Sequence, residues 1–253
     1  MNRQFKLFAL LWLLGMTGEV ALLWADLPLP PGPLPLPLST IKALMLLQGM
    51  VLLTIAVVLG VVLAPRVQLA APWLEAIAQG MPLSQRALKP PLVWGAIGGL
   101  VSASLALLWL AGWQPALPPE FLTAAKTYQL PLFARILRGG MSEEILMRWG
   151  LMTLVVWLPW RIAQRQRDLP LHPGYYIAAL SLTAVIFGVL HLPLAFLLSP
   201  TVTISLVVYI IGANAIVGAI AGYLYWQWGL EAAIIAHALF HVFVAMVEGW
   251  GWL

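Results

Sequence analysis

The feature that most constrains this chain is a series of apolar runs, each about long enough to cross a lipid bilayer. A helix needs roughly 20 such residues to cross, because each residue advances about 1.5 Å along the axis. We therefore expect a single all-α domain over residues 1–253, a polytopic bundle of transmembrane helices. Its predicted spans are residues 5–25, 41–64, 92–113, 142–160, 175–198, 201–225 and 230–250.

The composition agrees with a multi-pass membrane protein. Apolar residues make up 62% of the chain and charged residues only 9%, far below the quarter or so found in soluble domains. The net charge of +4 does not indicate nucleic-acid binding, because the basic residues lie mostly between apolar runs, where they act as topology signals. The chain has no cysteine, which excludes disulfides, thiolate metal sites and a cysteine nucleophile.

Three connecting segments carry further predictions. Prolines crowd residues 26–38, so this segment cannot be a helix or a central strand and is expected to be a stiff external loop or an extended segment lying on the surface. Residues 66–91 read as a cytoplasmic loop with one short amphipathic helix. Residues 114–140 mix charges with short apolar pieces, which favours an interfacial or partly re-entrant helix. A full crossing there would raise the number of spans from seven to eight.

The basic residues predict the orientation of the bundle. If the N-terminus is cytoplasmic, eight basic residues lie on the cytoplasmic side and four on the other, which favours this orientation. In a prokaryote the membrane would be the cell membrane. The eight are Arg3, Lys6, Arg66, Arg86, Lys89, Arg161, Arg165 and Arg167, and the four are Lys42, Lys126, Arg135 and Arg138.

One charged cluster stands inside an apolar run. Glu143, Glu144 and Arg148 lie at the start of the predicted fourth span, where an ionisable side chain costs roughly 2.5–3.5 kcal/mol and usually marks a functional site. Residues 139–140, both glycine, are expected to break the helix before the cluster, with Ser142 as the N-cap.

The spacing within the cluster separates two roles. Glu144 and Arg148 are four residues apart with the acid first, the favourable order for an ion pair on one helix face. Glu143 is turned away by about 100°, so it has no partner on its own helix and is the better candidate for a general base.

Three histidines lie in other predicted spans. His191 follows Phe187 by four residues, and His237 and His241 lie four apart on one helix face. If the three spans pack together, a water between Glu143 and His191 could attack a peptide carbonyl. His237 and His241 would then donate hydrogen bonds to the developing oxyanion.

These motifs, in this order, resemble those of the CPBP family, which contains Rce1-like CAAX prenyl proteases and bacteriocin-processing or immunity proteins. The resemblance covers residues 139–245, which we treat as the protease motif core. It implies that Glu143 activates the water, His191 assists, and His237 helps form the oxyanion hole. Glu144 and Arg148, together with Phe187, would support the site. The family commonly has Asn or Asp where this chain has His241.

The resemblance implies an intramembrane endopeptidase that acts on a membrane-associated peptide or protein, prenylated or not, within the bilayer. Two alternatives stay open: a non-catalytic scaffold or immunity protein of the same family, and a proton-coupled transporter. A transporter predicts symmetry between the halves of the chain, which the sequence does not show.

The sequence indicates no cofactor. The glutamates and histidines could together bind a divalent metal, but they do not fall in a recognised zinc spacing. Four other polar residues are expected to be structural, namely Glu19, Asn214, Glu231 and Glu248. No feature of the sequence predicts the oligomeric state.

Overall fold

The computed structural model describes residues 2–26, 28, 34–128, 130–163 and 171–250. Residues 27 and 29–33 of the proline-rich run and the basic residues Arg165 and Arg167 lie outside this part of the chain, so the predictions made for them stay predictions. The described residues form an all-α bundle without strands. Its α-helices are α1 (Arg3–Ala21), α2 (Leu38–Leu63), α3 (Pro72–Gln79), α4 (Gln85–Trp113), α5 (Pro119–Thr127), α6 (Leu132–Arg135), α7 (Thr153–Ala163), α8 (Pro173–Val189), α9 (Leu192–Leu198), α10 (Ile204–Trp228) and α11 (Leu230–Gly249).

Seven helical stretches in the described part of the chain are long and apolar enough to cross a membrane. The predicted polytopic bundle is therefore confirmed, and the protein is an integral multi-pass membrane protein. In the described part of the segment between the third and fourth spans the one helix is α5, which has nine residues and is too short to cross. The spans, numbered first to seventh below, are Arg3–Trp24, Leu38–Val67, Gln85–Ala116, Leu132–Ala163, Pro173–Leu198, Ile204–Trp228 and Leu230–Gly249.

The third span packs closely against the last two. A Cβ added at Gly95 or Gly99 would lie within 3 Å of backbone oxygens of α11, and one at Gly98 would strike Leu224 of α10. Glycine thus lets the backbones approach, as is usual where membrane helices pack. This glycine face, whose partner the sequence does not reveal, holds the seventh span in place.

The loop after the second span contains the expected short helix, α3, beside the start of the seventh span. Glu231 accepts hydrogen bonds from the backbone N–H groups of Trp73 and Leu74 at 2.9 and 3.0 Å, and so caps the N-terminus of α3. These first N–H groups have no partner within their own helix, so the carboxylate stabilises α3 where it lies.

The fourth span differs from its prediction. It begins at Leu132 rather than at Ser142, and the glycines at 139–140 lie inside it and do not break it. Ser142 is not an N-cap either, since its buried hydroxyl donates to the carbonyl of Gly15 at 2.6 Å. Glu143 therefore lies in the interior of a long helix and not in its first turn. The error arose because the charges of Arg135 and Arg138 suggested an interfacial segment.

Much of this span is π-helical, from Ile136 to Glu143 and again from Ile145 to Met152. A π-helix closes its hydrogen bonds between residues five apart and is rare, usually a single turn found at functional sites. Here the wide turns coincide with the charged cluster and set which residues share a face.

The fifth span is interrupted just before Pro193. Helix α8 ends at Val189 and α9 begins at Leu192, so His191 lies in the turn between them. Proline lacks an N–H and cannot bond to the carbonyl four residues earlier, which in this span belongs to Val189. The interruption places His191 on irregular backbone within the membrane, a feature tolerated where protein surrounds a cavity.

The two halves of the bundle are filled differently. Large buried side chains, among them Trp149, Tyr225 and Leu11, form an apolar core. It lies on the side of the N-terminus, where the first, fifth and seventh spans begin and the second, fourth and sixth spans end. The other half is covered by α5, whose Phe121 packs with Ala195 and Leu206. The core therefore fills the half of the bundle nearest the N-terminus, and the unfilled space inside the bundle lies in the other half.

Candidate active site

A cavity of about 530 Å³ lies in the half of the bundle that the core leaves unfilled. Glu143 of the fourth span, His191 of the fifth, and His237 and His241 of the seventh all line it. The structure thus brings the four side chains expected to be catalytic to one cavity wall. Leu22, Leu198 and Glu248 also line the cavity and lie at the ends of their spans opposite the N-terminus, and Leu130 lies just before the fourth span, so the cavity extends toward that side.

Glu144 occupies the centre of a buried charged group next to the cavity. Its Oε1 lies 2.8 Å from Nδ1 of His237, and its Oε2 lies 3.1 Å from Nε of Arg148. The Arg148 contact is close enough for an ion pair, but the two groups are not aligned for a hydrogen bond. Glu144 therefore joins the fourth span to the seventh. The sequence alone suggested only that Glu144 neutralises Arg148.

Arg148 has no solvent-exposed surface and contacts three groups of the protein. Besides Glu144, its Nη2 donates to the carbonyl of Gly218 at 3.1 Å, and its guanidinium lies 5.2 Å from the centre of the Phe187 ring. A cation over an aromatic face is attracted by the ring quadrupole, more strongly when water is excluded. Arg148 thus links the fourth, fifth and sixth spans behind the cavity wall.

The ring of His191 is oriented by the break in its span. Its backbone N–H donates to Gly188, three residues back, which leaves the carbonyl of Phe187 free to contact His191 Nδ1 at 2.7 Å. A carbonyl only accepts hydrogen bonds, so Nδ1 carries the proton and Nε2 of the neutral ring is an acceptor. The acceptor nitrogen is the one a proton-abstracting histidine needs.

Glu143 is half-buried and makes no hydrogen bond or ion pair with another described residue. Its neighbour Glu144 has no exposed surface and is fully committed to Arg148 and His237. The two adjacent carboxylates thus differ as the sequence analysis expected, one directed to the cavity and one to the protein interior. Only Glu143 is accessible to a substrate or to a water in the cavity.

The two histidines of the seventh span stack on each other with ring centroids 4.9 Å apart. Both approach Gly139 of the fourth span: a Cβ there would collide with Nε2 of His241 and would lie 3.3 Å from Nε2 of His237. The glycine is thus required by the close approach of the two imidazoles. Its role is to leave room for the rings, and not to end a helix.

Other cavity-lining residues were not predicted to be functional. Asn214 makes one side-chain hydrogen bond, from its Nδ2 to the carbonyl of Ile210 in its own helix at 2.9 Å. Its Oδ1 makes no hydrogen bond to another described residue. Tyr128 also lines the cavity, and burial raises the pKa of its phenol, which therefore stays a neutral hydrogen-bond donor. Asn214 is a single polar residue in an apolar helix, so the sequence gave no signal that could have assigned it to this site.

Residues 126–243 match the family model of Rce1-like type II CAAX prenyl endopeptidases. Over these residues, slightly less than half of the chain, the protein is similar to the Rce1-like family. No curated protein and no solved structure matches it significantly. This similarity supports a protease-type membrane enzyme in general.

The Rce1-like region runs from α5 to the last turns of α11 and includes every residue of the predicted site. The first three spans lie outside the region, yet they pack against it: Gly15 and Glu19 contact the fourth span, and the glycine face of α4 contacts the seventh. The described residues contain no cluster of three or more histidine or acidic side chains suited to a metal ion.

Proposed function

We propose that this Rce1-like protein is an intramembrane endopeptidase that hydrolyses a peptide bond of a membrane-associated substrate. The observation that carries the proposal is the convergence of Glu143, His191, His237 and His241, from three spans, on one cavity. Side chains of this kind are expensive at membrane depth, and four of them facing one cavity indicate chemistry rather than packing.

In this mechanism Glu143 and His191 activate the attacking water. Glu143 accepts the proton as the water attacks the peptide carbonyl, while Nε2 of His191 accepts a hydrogen bond from the same water. Positioned general bases of this type contribute about 10²- to 10⁴-fold in rate. Glu143 then returns the proton to the leaving amine, so that the products are a carboxylic acid and a free amine.

The histidine pair of the seventh span supplies the charge stabilisation. In the proposed mechanism Nδ1 of His237 donates to the Glu144 carboxylate at 2.8 Å, which orients the ring, and Nε2 donates to the oxyanion when the ring carries both protons. Nε2 of His241 lies close by, near Gly139. Two such donors directed at the developing oxyanion act in a water-poor site, where one donor is worth about 10²- to 10³-fold in rate.

The shape of the cavity fits a substrate that is anchored in the bilayer. Its walls combine the polar side chains with apolar ones, among them Leu146, Leu190, Leu194 and Phe240, and its volume of about 530 Å³ accommodates a short peptide with part of a lipid anchor. The family name points to prenylated CAAX proteins as one such class. With the N-terminus cytoplasmic, the cavity would receive its substrate from the opposite side of the membrane.

The test is a cleavage assay on purified protein in detergent or nanodiscs with farnesylated and unlipidated peptides. Glu143→Gln and His191→Ala should lower the cleavage rate at least about 100-fold. Glu120→Gln is the matched control, because Glu120 lies on α5 outside the cavity, and it should retain the wild-type rate. Full activity of the Glu143→Gln variant would refute the mechanism. The same assay with a chelator decides whether a divalent metal takes part: lost activity that zinc restores would identify a metalloenzyme.

A further inference from the structure

Another cavity, of about 360 Å³, lies at the end of the bundle opposite the candidate active site. It is on the membrane side of the N-terminus, where the third span begins and the sixth ends, and the chain that follows the second span completes its wall. Cavities of about 300–1,000 Å³ hold small ligands. We call it the N-side cavity, and the proposed peptidase reaction makes no use of it.

Three exposed polar side chains line the N-side cavity, namely Gln68, Arg86 and Gln227. None of them makes a side-chain hydrogen bond or an ion pair with another described residue, and no acidic residue lines the cavity. The acidic residues of the neighbouring helices are engaged elsewhere. Glu231 caps α3, and Glu75 accepts from the N-cap backbone of the same helix at 3.0 Å. The cavity therefore presents an unneutralised cation beside two amides.

Two consecutive prolines in the cavity wall add a carbonyl acceptor. Pro90 and Pro91 lie inside α4 and have no N–H group, so the carbonyls four residues earlier lose their helical donors. One of these carbonyls, that of Ala87, accepts instead from the indole of Trp73 at 2.9 Å. No described side chain donates to the other, the carbonyl of Arg86. Residue 86 thus supplies both a cation and an acceptor that lacks its helical donor.

The backbone of Gln68 has an uncommon conformation. Its φ of 55° lies in the left-handed region, and it is the one residue other than glycine in the described chain with a positive φ. This conformation is disfavoured for a residue with a Cβ, and such residues cluster at ligand sites. A glutamine kept at this position, where glycine would be unstrained, is consistent with a binding role for its amide.

A row of aromatic rings begins at the rim of the N-side cavity. Trp226 and Trp228 line the cavity, and the exposed Tyr223 lies edge-on to both, with ring centroids 6.2 and 5.6 Å away. Trp94 of the third span stacks on Trp228 at 4.7 Å. Tyr176 of the fifth span stacks on Trp226 at 4.8 Å. Tryptophan and tyrosine concentrate where the bilayer meets water, so the row places the cavity at the depth of the lipid headgroups.

We propose that the N-side cavity binds the headgroup of an anionic phospholipid of the phosphatidylglycerol kind. The guanidinium of Arg86 donates to the phosphate oxygens, the charge-assisted contact that arginine favours. The glycerol hydroxyls donate and accept hydrogen bonds, which suits the Arg86 carbonyl and the amides of Gln68 and Gln227. The acyl chains then lie against exposed apolar side chains of the third span, among them Leu92 and Trp94. This site is independent of the proposed peptidase function.

The predicted orientation agrees with such a ligand. With the N-terminus cytoplasmic, the N-side cavity faces the cytoplasmic leaflet, and basic pockets between spans on that side bind anionic headgroups. A choline lipid carries the same phosphate but has no hydroxyl in its headgroup and no net negative charge. The cavity should therefore distinguish the two headgroups even when the acyl chains are identical.

The test measures lipid binding to the purified protein in detergent by native mass spectrometry. Dioctanoyl phosphatidylglycerol and dioctanoyl phosphatidylcholine are titrated separately, and the fraction of protein that carries one lipid gives each Kd. The wild type should bind the glycerol lipid at least about 10-fold more tightly, the effect expected of a charge-assisted hydrogen bond. Equal affinity for the two lipids would overturn the inference.

Three variants assign the binding to the cavity. Arg86→Gln should weaken binding of phosphatidylglycerol about 10-fold and leave that of phosphatidylcholine unchanged. Gln68→Gly removes an amide where the backbone already favours glycine, so it should keep the fold and weaken binding several-fold. Lys6→Gln is the matched control, because it removes an exposed cation on the same membrane side outside the cavity. An equal loss in Lys6→Gln and Arg86→Gln would show general attraction to a basic surface and refute the site.

A competition experiment distinguishes a lipid from a soluble phosphate ester. Glycerophosphoglycerol, the same headgroup without acyl chains, and inorganic phosphate are added to the complex with dioctanoyl phosphatidylglycerol. Because the buried chains add affinity, either anion should displace the lipid only at about 100-fold higher concentration or more. Displacement at a concentration equal to that of the lipid would show that the cavity binds soluble phosphates, and the assignment to a lipid would then be wrong.

Discussion

Nδ1 of His237 lies 2.8 Å from Oε1 of Glu144, although the two residues are 93 positions apart in the chain. The carboxylate has no exposed surface, and it also faces the buried guanidinium of Arg148 at 3.1 Å. One side chain thus connects a predicted catalytic histidine to the ion pair behind the site. Nη1 of Arg148 has no partner in the described chain, so the ion pair depends on Glu144 for its charge balance.

Glu144→Gln is expected to lower both stability and activity. The substitution removes the negative charge that balances Arg148, and the loss of one partner of a buried pair costs about 3–5 kcal/mol. Thermal unfolding in detergent should therefore shift to lower temperature. Glu143→Gln is the matched control, because Glu143 has no such partner, and it should unfold like the wild type while losing activity. Unchanged unfolding of Glu144→Gln would show that Arg148 finds other compensation.

Gly139→Ala is expected to lower activity by displacing the two histidines of the seventh span. The new Cβ would collide with the His241 ring, and a displacement of about 1 Å near a reacting centre can cost about 100-fold in rate. Gly112→Ala provides the comparison, since a Cβ at that position meets nothing within 4 Å. It should retain full activity. Steady-state cleavage rates of both variants decide the point, and equal rates would refute the packing argument.

His241→Asn is expected to retain activity within about 10-fold, whereas His241→Leu should lose roughly 100-fold or more. Asparagine can still donate a hydrogen bond to the oxyanion, and leucine of similar size cannot. The ratio of kcat values for the two variants measures the donor role directly. If the two variants are equally active, His241 contributes packing and not transition-state stabilisation.

Pro193→Ala is expected to impair the site without unfolding the protein. Without the proline, the fifth span can continue as one helix, and the backbone N–H of His191 would then bond to the carbonyl of Phe187. That carbonyl now holds Nδ1 of the imidazole at 2.7 Å, so the ring would lose its orienting partner. Pro159→Ala changes another helical proline, inside α7 and away from the cavity, and should leave activity intact. Cleavage rates and thermal unfolding of both variants test the expectation.

The orientation of the bundle can be tested by cysteine labelling, because the chain has no cysteine of its own. Lys126→Cys on α5 should react with a membrane-impermeant maleimide in intact cells, whereas Gln68→Cys, on the side of the N-terminus, should react only after permeabilisation. The opposite pattern would reverse the predicted orientation and direct the cavity to the cytoplasm.

Much of the architecture follows from the sequence because lipid imposes a simple rule on it. A helix must be long and apolar to cross, so the runs that begin at Ile41 and Leu230 predict the ends of their spans to within three residues. The break near His191 was readable for a similar reason, since proline has a fixed local effect. The Glu144–Arg148 pair was readable from its spacing on one helix.

The predictions that failed concern residues whose partners lie far away in the chain. Arg135 and Arg138 suggested an interfacial segment, because nothing local shows that Glu248 and Glu19 neutralise them within the bundle. The same holds for Gly139, whose small size is required by a histidine about 100 positions later. The π-helical turns have no local sequence signature that we can identify. The roles of the four predicted catalytic residues stay predictions until they are assayed.

The π-helical turns also limit how this protein can change. Since Arg138 and Glu143 share a face only because one turn holds five residues, a single-residue deletion between them would rotate one by roughly 100° relative to the other. Variants can therefore exchange side chains in this segment but cannot change its length without turning one face of it away from the cavity. Insertions would be tolerated instead before Leu132, where the chain leaves α5 and enters the fourth span.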